Sequence, residues 1–90
     1  MKLKNKVAIV TGGGRGIGKS TALALAKEGC NISLIARTRH EIKNTAKEVE
    51  SLGVKALAIK GDVGLYKDVK NLVKETIFKF KKIDILINNA

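Results

Sequence analysis

Residues 6–18, Lys-Val-Ala-Ile-Val-Thr-Gly-Gly-Gly-Arg-Gly-Ile-Gly, run an apolar segment straight into five glycines, and the helix formers Ala22, Leu23, Ala24, Leu25 and Ala26 follow at once. A short apolar run that ends in glycines reads as a buried parallel strand, so the segment predicts strand, tight turn and helix in succession. Glycines at such a junction permit positive φ angles and let a ligand approach the backbone, while the first N–H groups of the helix and its dipole attract anionic oxygens. The junction is a candidate phosphate site.

Downstream, strand and helix alternate three more times. Asn31 to Ala36 reads as a second strand, with Gly29 ending the helix before it. Thr38-Arg39-His40-Glu41 has the form of a capping box, in which the Thr oxygen accepts from the N–H of residue 41 and the Glu reaches back. The helix it opens carries Ile42, Ala46, Val49 and Leu52 at helical spacing and stops at Gly53. Lys55 to Lys60 is read as a third strand, Val69, Leu72, Val73, Ile77 and Phe80 as the buried stripe of a third helix, and Ile83 to Ile87 as a fourth strand. Strands joined by helical crossovers run parallel. The expected fold is therefore α/β, a doubly wound parallel sheet with helices on both faces.

Two phosphate motifs overlap in the glycine segment. Gly13-x-x-x-x-Gly18-Lys19-Ser20 formally matches the P-loop of nucleoside triphosphatases, in which Lys19 would hold phosphates and Ser20 magnesium. Such a site needs a partner carboxylate, usually at the end of another apolar strand. Asp84 precedes the run Ile85-Leu86-Ile87 instead, and Asp62 follows Lys60-Gly61. Ile17 is also bulky for a tight phosphate-wrapping loop, and makes better sense as the first apolar residue of a helix face shared with Thr21 and Leu25. Lys19 is then expected on the outer face of that helix, dispensable for binding.

The other spacing, Thr11-Gly12-x-x-x-Gly16-Ile17-Gly18, resembles the cofactor loop of the short-chain dehydrogenase/reductase family. Asp62-Val63 is similar to the pair that follows the third strand there and borders the adenine, and Asn88-Asn89-Ala90 to the start of the Asn-Asn-Ala-Gly element after the fourth. The three motifs lie in order at the carboxyl ends of expected strands, where open α/β sheets bind ligands. Gly64 departs from the family, which usually has Ser or Thr there to cap the next helix. The resemblance implies a Rossmann-type sheet of order 3-2-1-4, a cofactor-binding unit over residues 1–90, and cofactor contacts at Gly12, Gly14, Arg15, Gly16, Ile17, Gly18, Arg37, Thr38, Asp62, Val63, Asn89 and Ala90. In general pattern it is closest to 3-oxoacyl-acyl-carrier-protein reductases.

Charge argues for the cofactor. Dinucleotide enzymes that take NAD usually present Asp or Glu to the ribose hydroxyls about 20 residues after the glycine loop, and those that take NADP present Arg to the 2′-phosphate. Here the second strand ends Ile35-Ala36-Arg37-Thr38-Arg39, so Ala36 makes room and Arg37 offers a bidentate grip, with Arg15 a second cation. NADP(H) is expected.

The family's chemistry is hydride transfer to a carbonyl by a Tyr acid/base, a Lys that lowers its pKa and a Ser that orients the substrate, all downstream of the Asn-Asn-Ala element. No catalytic residue is therefore expected within these 90 residues, and the chain alone is expected to be inactive, as the cofactor-binding part of a longer, homo-oligomeric enzyme. Its substrate would be a small-molecule or acyl-carrier-linked carbonyl. Tyr66-x-x-x-Lys70 has the spelling of the catalytic pair but lies upstream of Asn88, and an i, i+4 pair is common on any helix. A fourth strand at the sheet edge would expose Ile83, Ile85, Leu86 and Ile87 to pairing, so the 90-residue chain is expected to be weakly folded, dimeric or aggregation-prone. A stand-alone nucleotide-binding module without catalysis is the alternative reading.

Composition excludes more than it adds. The net charge of +10 invites a nucleic-acid reading, but Tyr66, Phe78 and Phe80 are the only aromatics, and the two Phe are read as lying on or beside a buried helix stripe. The lysines are spread along helices instead of forming one stripe, so no nucleic-acid partner is expected. A single cysteine, Cys30, permits no internal disulfide and is read as a small packed residue, and His40 as exposed. No run approaches membrane-spanning length and no signal peptide precedes the first strand, so a cytoplasmic protein is expected.

Overall fold

The computed structural model describes residues 2–89. Its elements are β1 (Val7–Thr11), α1 (Gly16–Lys27), β2 (Asn31–Ala36), α2 (Arg39–Ser51), β3 (Ala56–Lys60), α3 (Tyr66–Phe80) and β4 (Ile85–Ile87). The four strands form one parallel sheet in the order β3-β2-β1-β4, as the alternation of strands and helices requires. β1 is buried along its whole length because it has a strand on each side and helices above and below.

Strand alternation divides the core. Ala8 and Val10 of β1 and Ile32 and Leu34 of β2 face one side, where they pack with Ala22 and Ala26 of α1 and Val49 of α2. Ile9 and Ile35 face the other side and meet Leu72 of α3. Cys30 packs fully buried in the first cluster, and burial pushes its thiol pKa up, as for a small apolar residue.

Helix phase differs from expectation in two places. Ile17 is 78% exposed, and α1 buries Gly18, Ala22 and Ala26 in place of the Ile17-Thr21-Leu25 face. Small residues let α1 lie close against the sheet, and that approach turns Ile17 to solvent. On α3 the buried residues are Leu72 and Thr76, while Val73 and Ile77 are 41% and 42% exposed and Phe78 is 76% exposed. Thr76 is drawn inward by polar pairing: its Oγ1 donates to the Leu72 carbonyl at 2.7 Å and lies 2.8 Å from the Ser33 hydroxyl on β2. Two polar side chains thus satisfy each other in the core.

Strand ends also shift. β3 starts at Ala56, one residue later than expected, and β4 at Ile85 in place of Ile83. Asp84 opens the β4 side of the ladder: its N–H donates to the Val7 carbonyl and its Oδ2 accepts from the Val7 N–H, each at 2.9 Å, with Lys82 Nζ at 3.2 Å. The Val7 N–H, aided by Lys82 and Lys6, holds the Asp84 carboxyl below the usual carboxylate range. A depressed folded pKa stabilises the protein above the unfolded value of about 3.9, and that stabilisation is lost as pH falls through the folded pKa. Asp84→Asn is therefore expected to lower the urea midpoint at pH 7 and to lower it by less at about pH 3, below the unfolded value, where part of that stabilisation is already lost. Midpoints that differ equally at both values would show that the charge is not involved.

Among the described residues no helix is long and apolar enough to cross a membrane.

Candidate functional site

The site is built where β1 gives way to α1. Gly12 takes a φ of +65° and donates its N–H to the Ile35 carbonyl at 2.9 Å, turning the chain while keeping it against β2. Gly18 is required by proximity instead: a Cβ there would overlap the Gly12 carbonyl oxygen and stand 2.7 Å from its carbon. No side chain caps α1 and its first turn has no acidic residue, so no side chain of that turn offsets the positive end of its dipole.

Beyond β2, Arg37 and Thr38 are exposed and Thr38 takes the N-cap position of α2 in extended backbone. The capping box does not form. The Thr38 side chain makes no cap bond, and Glu41 lies beside the glycine loop, close enough that a Cβ on Gly14 would stand 3.0 Å from its own Cβ and 3.4 Å from Oε1. One turn on, the buried Thr45 hydroxyl donates to the Gly14 carbonyl at 3.3 Å. The start of α2 is thus attached to the glycine loop itself.

The remaining two loops are tied down by polar bonds. Gly61 N–H donates to the Ala36 carbonyl at 3.0 Å, Asp62 Oδ1 accepts from Gly64 N–H, and Asp68 Oδ2 accepts from Asp62 N–H, the last two at 2.8 Å. These bonds organise the turn before α3, whose N-cap residue, Leu65, supplies no side-chain cap. After β4, Asn89 N–H donates to Thr11 Oγ1 at 2.9 Å and its Nδ2 donates to the Thr11 carbonyl at 3.2 Å, while the Thr11 hydroxyl reaches Asn88 Oδ1 at 3.0 Å.

Between these loops lies a groove of about 520 Å³. From the glycine loop it takes Gly12, Gly14 and Arg15; from the end of β2, Arg37 and Thr38; from the later loops, Asp62, Val63 and Asn89. Gly16, Ile17 and Gly18 do not line it, and Ala90 lies outside the described residues. Ile35, Ala36, Glu41 and Gly61 complete the lining. Of these, Glu41 reads in the sequence as part of a helix cap, and no periodicity reveals that its carboxylate turns toward a loop instead. A smaller hollow of about 330 Å³ adjoins Arg37 and Asp62 and adds Lys60 and Asp68.

Residues 6–90 match the short chain dehydrogenase family. The chain belongs to that family. As a short-chain dehydrogenase it is 47% identical over 90 residues to YhdF, an uncharacterized oxidoreductase of Bacillus subtilis, with 99% of this chain and 31% of that protein covered. It is 40% identical over 87 residues to the 3-oxoacyl-[acyl-carrier-protein] reductase FabG of Staphylococcus epidermidis, covering 96% of this chain and 36% of that one. A crystal structure of NAD+-bound xylitol dehydrogenase superimposes with a TM-score of 0.96 at 39% identity, over all of this chain and 35% of the other. This short-chain dehydrogenase chain spans about a third of the length of these relatives.

The competing motifs lie elsewhere in the short-chain dehydrogenase fold. Lys19 Nζ pairs with Glu48 Oε2 of α2 at 2.6 Å, directed to a neighbouring helix and not to the loop. Tyr66 is 80% exposed at the start of α3, Lys70 is exposed one turn later, and neither lines the groove. His40 is exposed in the first turn of α2. Among the described residues no group of three His, Cys, Asp or Glu could hold a metal ion.

Proposed function

We propose that this chain is the cofactor-binding part of an NADP(H)-dependent oxidoreductase that moves hydride between nicotinamide and a carbonyl or alcohol. The observation that carries the reading is Arg15 and Arg37 on one groove beside a glycine loop, with Ala36 at the end of β2 where a carboxylate would favour the unphosphorylated cofactor. The residues suit such a ligand. The uncapped opening of α1, from Gly16 through Ile17 to Gly18, offers N–H groups and a positive dipole end to the pyrophosphate, with Gly14 and Gly12 allowing close approach. Arg15, Arg37 and Thr38 would hold the 2′-phosphate, Asp62 and Val63 would border the adenine, and Asn89 would close the groove beyond β4.

When bound, the nicotinamide supplies or accepts the hydride. This chain's residues bind and orient it, and none is assigned to proton transfer. The relative crystallised with NAD+ supports a nicotinamide dinucleotide, and the two arginines favour the phosphorylated form. Similarity to a 3-oxoacyl-[acyl-carrier-protein] reductase favours a carbonyl substrate, acyl-carrier-linked or a free small molecule. The whole protein would act in the cytoplasm as a homo-oligomer.

Titration of NADPH and NADH into the wild-type chain and Arg37→Ala tests the reading. Charge-assisted hydrogen bonds contribute about 1.5–3 kcal/mol, so the substitution is expected to weaken NADPH roughly tenfold or more and leave NADH nearly unchanged. Equal affinities in the wild type, or equal losses in the variant, would overturn the 2′-phosphate assignment.

A further inference from the structure

We infer that Glu41 is a specificity-determining residue of the groove, opposing a 2′-phosphate and offering an acceptor to an unphosphorylated ribose. The inference rests on the dinucleotide reading above and deepens it, because it makes cofactor choice a balance between two arginines and one carboxylate.

Three observations carry it. Glu41 sits in the first turn of α2 and lines the same groove as Arg15, Arg37 and Thr38. Its position is enforced, since α2 is held to the loop by the bond from Thr45 to the Gly14 carbonyl, and Gly14 has no side chain to push the Glu away. Its charge is not neutralised by contact: the ion pairs among the described residues are Lys19–Glu48 and Lys82–Asp84, and Glu41 reaches neither Arg15 nor Arg37. Asp62, the other carboxylate on the groove, is engaged by the Gly64 N–H.

Opposite effects on two ligands follow from this charge. A phosphate monoester carries roughly −1.5 to −2 at neutral pH and is repelled by a carboxylate in the same groove, whereas a ribose hydroxyl can donate to it. The ordinary role of a first-turn Glu, favourable interaction with its own helix dipole, would act equally whichever ligand is bound.

The test uses the 90-residue chain with adenosine 2′,5′-bisphosphate and 5′-AMP, which differ only in the 2′-phosphate, titrated calorimetrically into wild type, Glu41→Gln, Glu41→Asp and Arg37→Ala. Glu41→Gln is expected to tighten the bisphosphate roughly fivefold at about 0.02 M salt, with the gain largely screened at about 1 M, and to leave 5′-AMP unchanged or weaker. Glu41→Asp, which keeps the charge, is expected to retain wild-type selectivity. An unchanged bisphosphate affinity in Glu41→Gln, or the same gain for both ligands, overturns the role of Glu41. If Arg37→Ala weakens the bisphosphate while Glu41→Gln does nothing, the Glu41 role alone falls. If Arg37→Ala also leaves it unaffected, or wild type binds neither ligand, the 2′-phosphate reading falls with it.

Discussion

Gly18→Ala is expected to cost about 3 kcal/mol or more, the largest loss from an added methyl among the glycines of the loop. The added Cβ would overlap the Gly12 carbonyl oxygen, lie 2.7 Å from its carbon and 3.2 Å from the Gly13 nitrogen, all of them backbone atoms that cannot rotate away. Either α1 must lift from the end of β1 or the loop must shift, and both change the groove. A small domain holds only about 5–15 kcal/mol in total, so a large fraction of its stability would go. Gly16→Ala makes a useful control, because Gly16 has a φ of +59° and a methyl group there would meet nothing within 4 Å. It incurs only the left-handed backbone penalty, about 1–2 kcal/mol. Urea denaturation of both variants, with nucleotide titration, measures the difference; a Gly18→Ala protein as stable as wild type would rule out so close an approach of helix to loop.

Leu34→Ala is the second large effect, expected at about 2–5 kcal/mol from lost burial and the cavity left behind. Leu34 is fully buried on the face of β2 that meets α1 and α2, and it lies directly under the glycine loop. A Cβ on Gly13 would come within 2.5 Å of its Cδ2. That atom is the end of a side chain, so Gly13→Ala is expected to cost less than Gly18→Ala, about 1–3 kcal/mol. With Leu34 already truncated, the same Gly13→Ala change should cost little. A double-mutant cycle is expected to give a coupling of about 1 kcal/mol or more, and strict additivity would contradict the contact.

Periodicity and punctuation are enough to read the alternation of strands and helices, the parallel sheet and the loops that meet at one end of it. Apolar runs of strand length bounded by glycine or polar turn residues are too short for buried helices and read as strands, and helical crossovers leave only parallel pairing. The glycine spacing and the Asp62-Val63 and Asn88-Asn89 pairs carry the resemblance, because they lie where each strand ends.

Tertiary structure decided what depends on the phase of a helix and on the direction of a polar side chain. A 3.6-residue period defines a stripe but not which of two adjacent stripes faces the sheet, and on α1 the contact of Gly18 with Gly12 makes that choice against Ile17. Thr76 and Ser33 look like surface residues in any hydropathy pattern, and their burial becomes favourable only when α3 brings the two hydroxyls within 2.8 Å. Glu41 had two local options, its own helix cap or the loop. The packing of α2 against Gly14 chose the second, because it places the carboxylate over a residue that has no side chain.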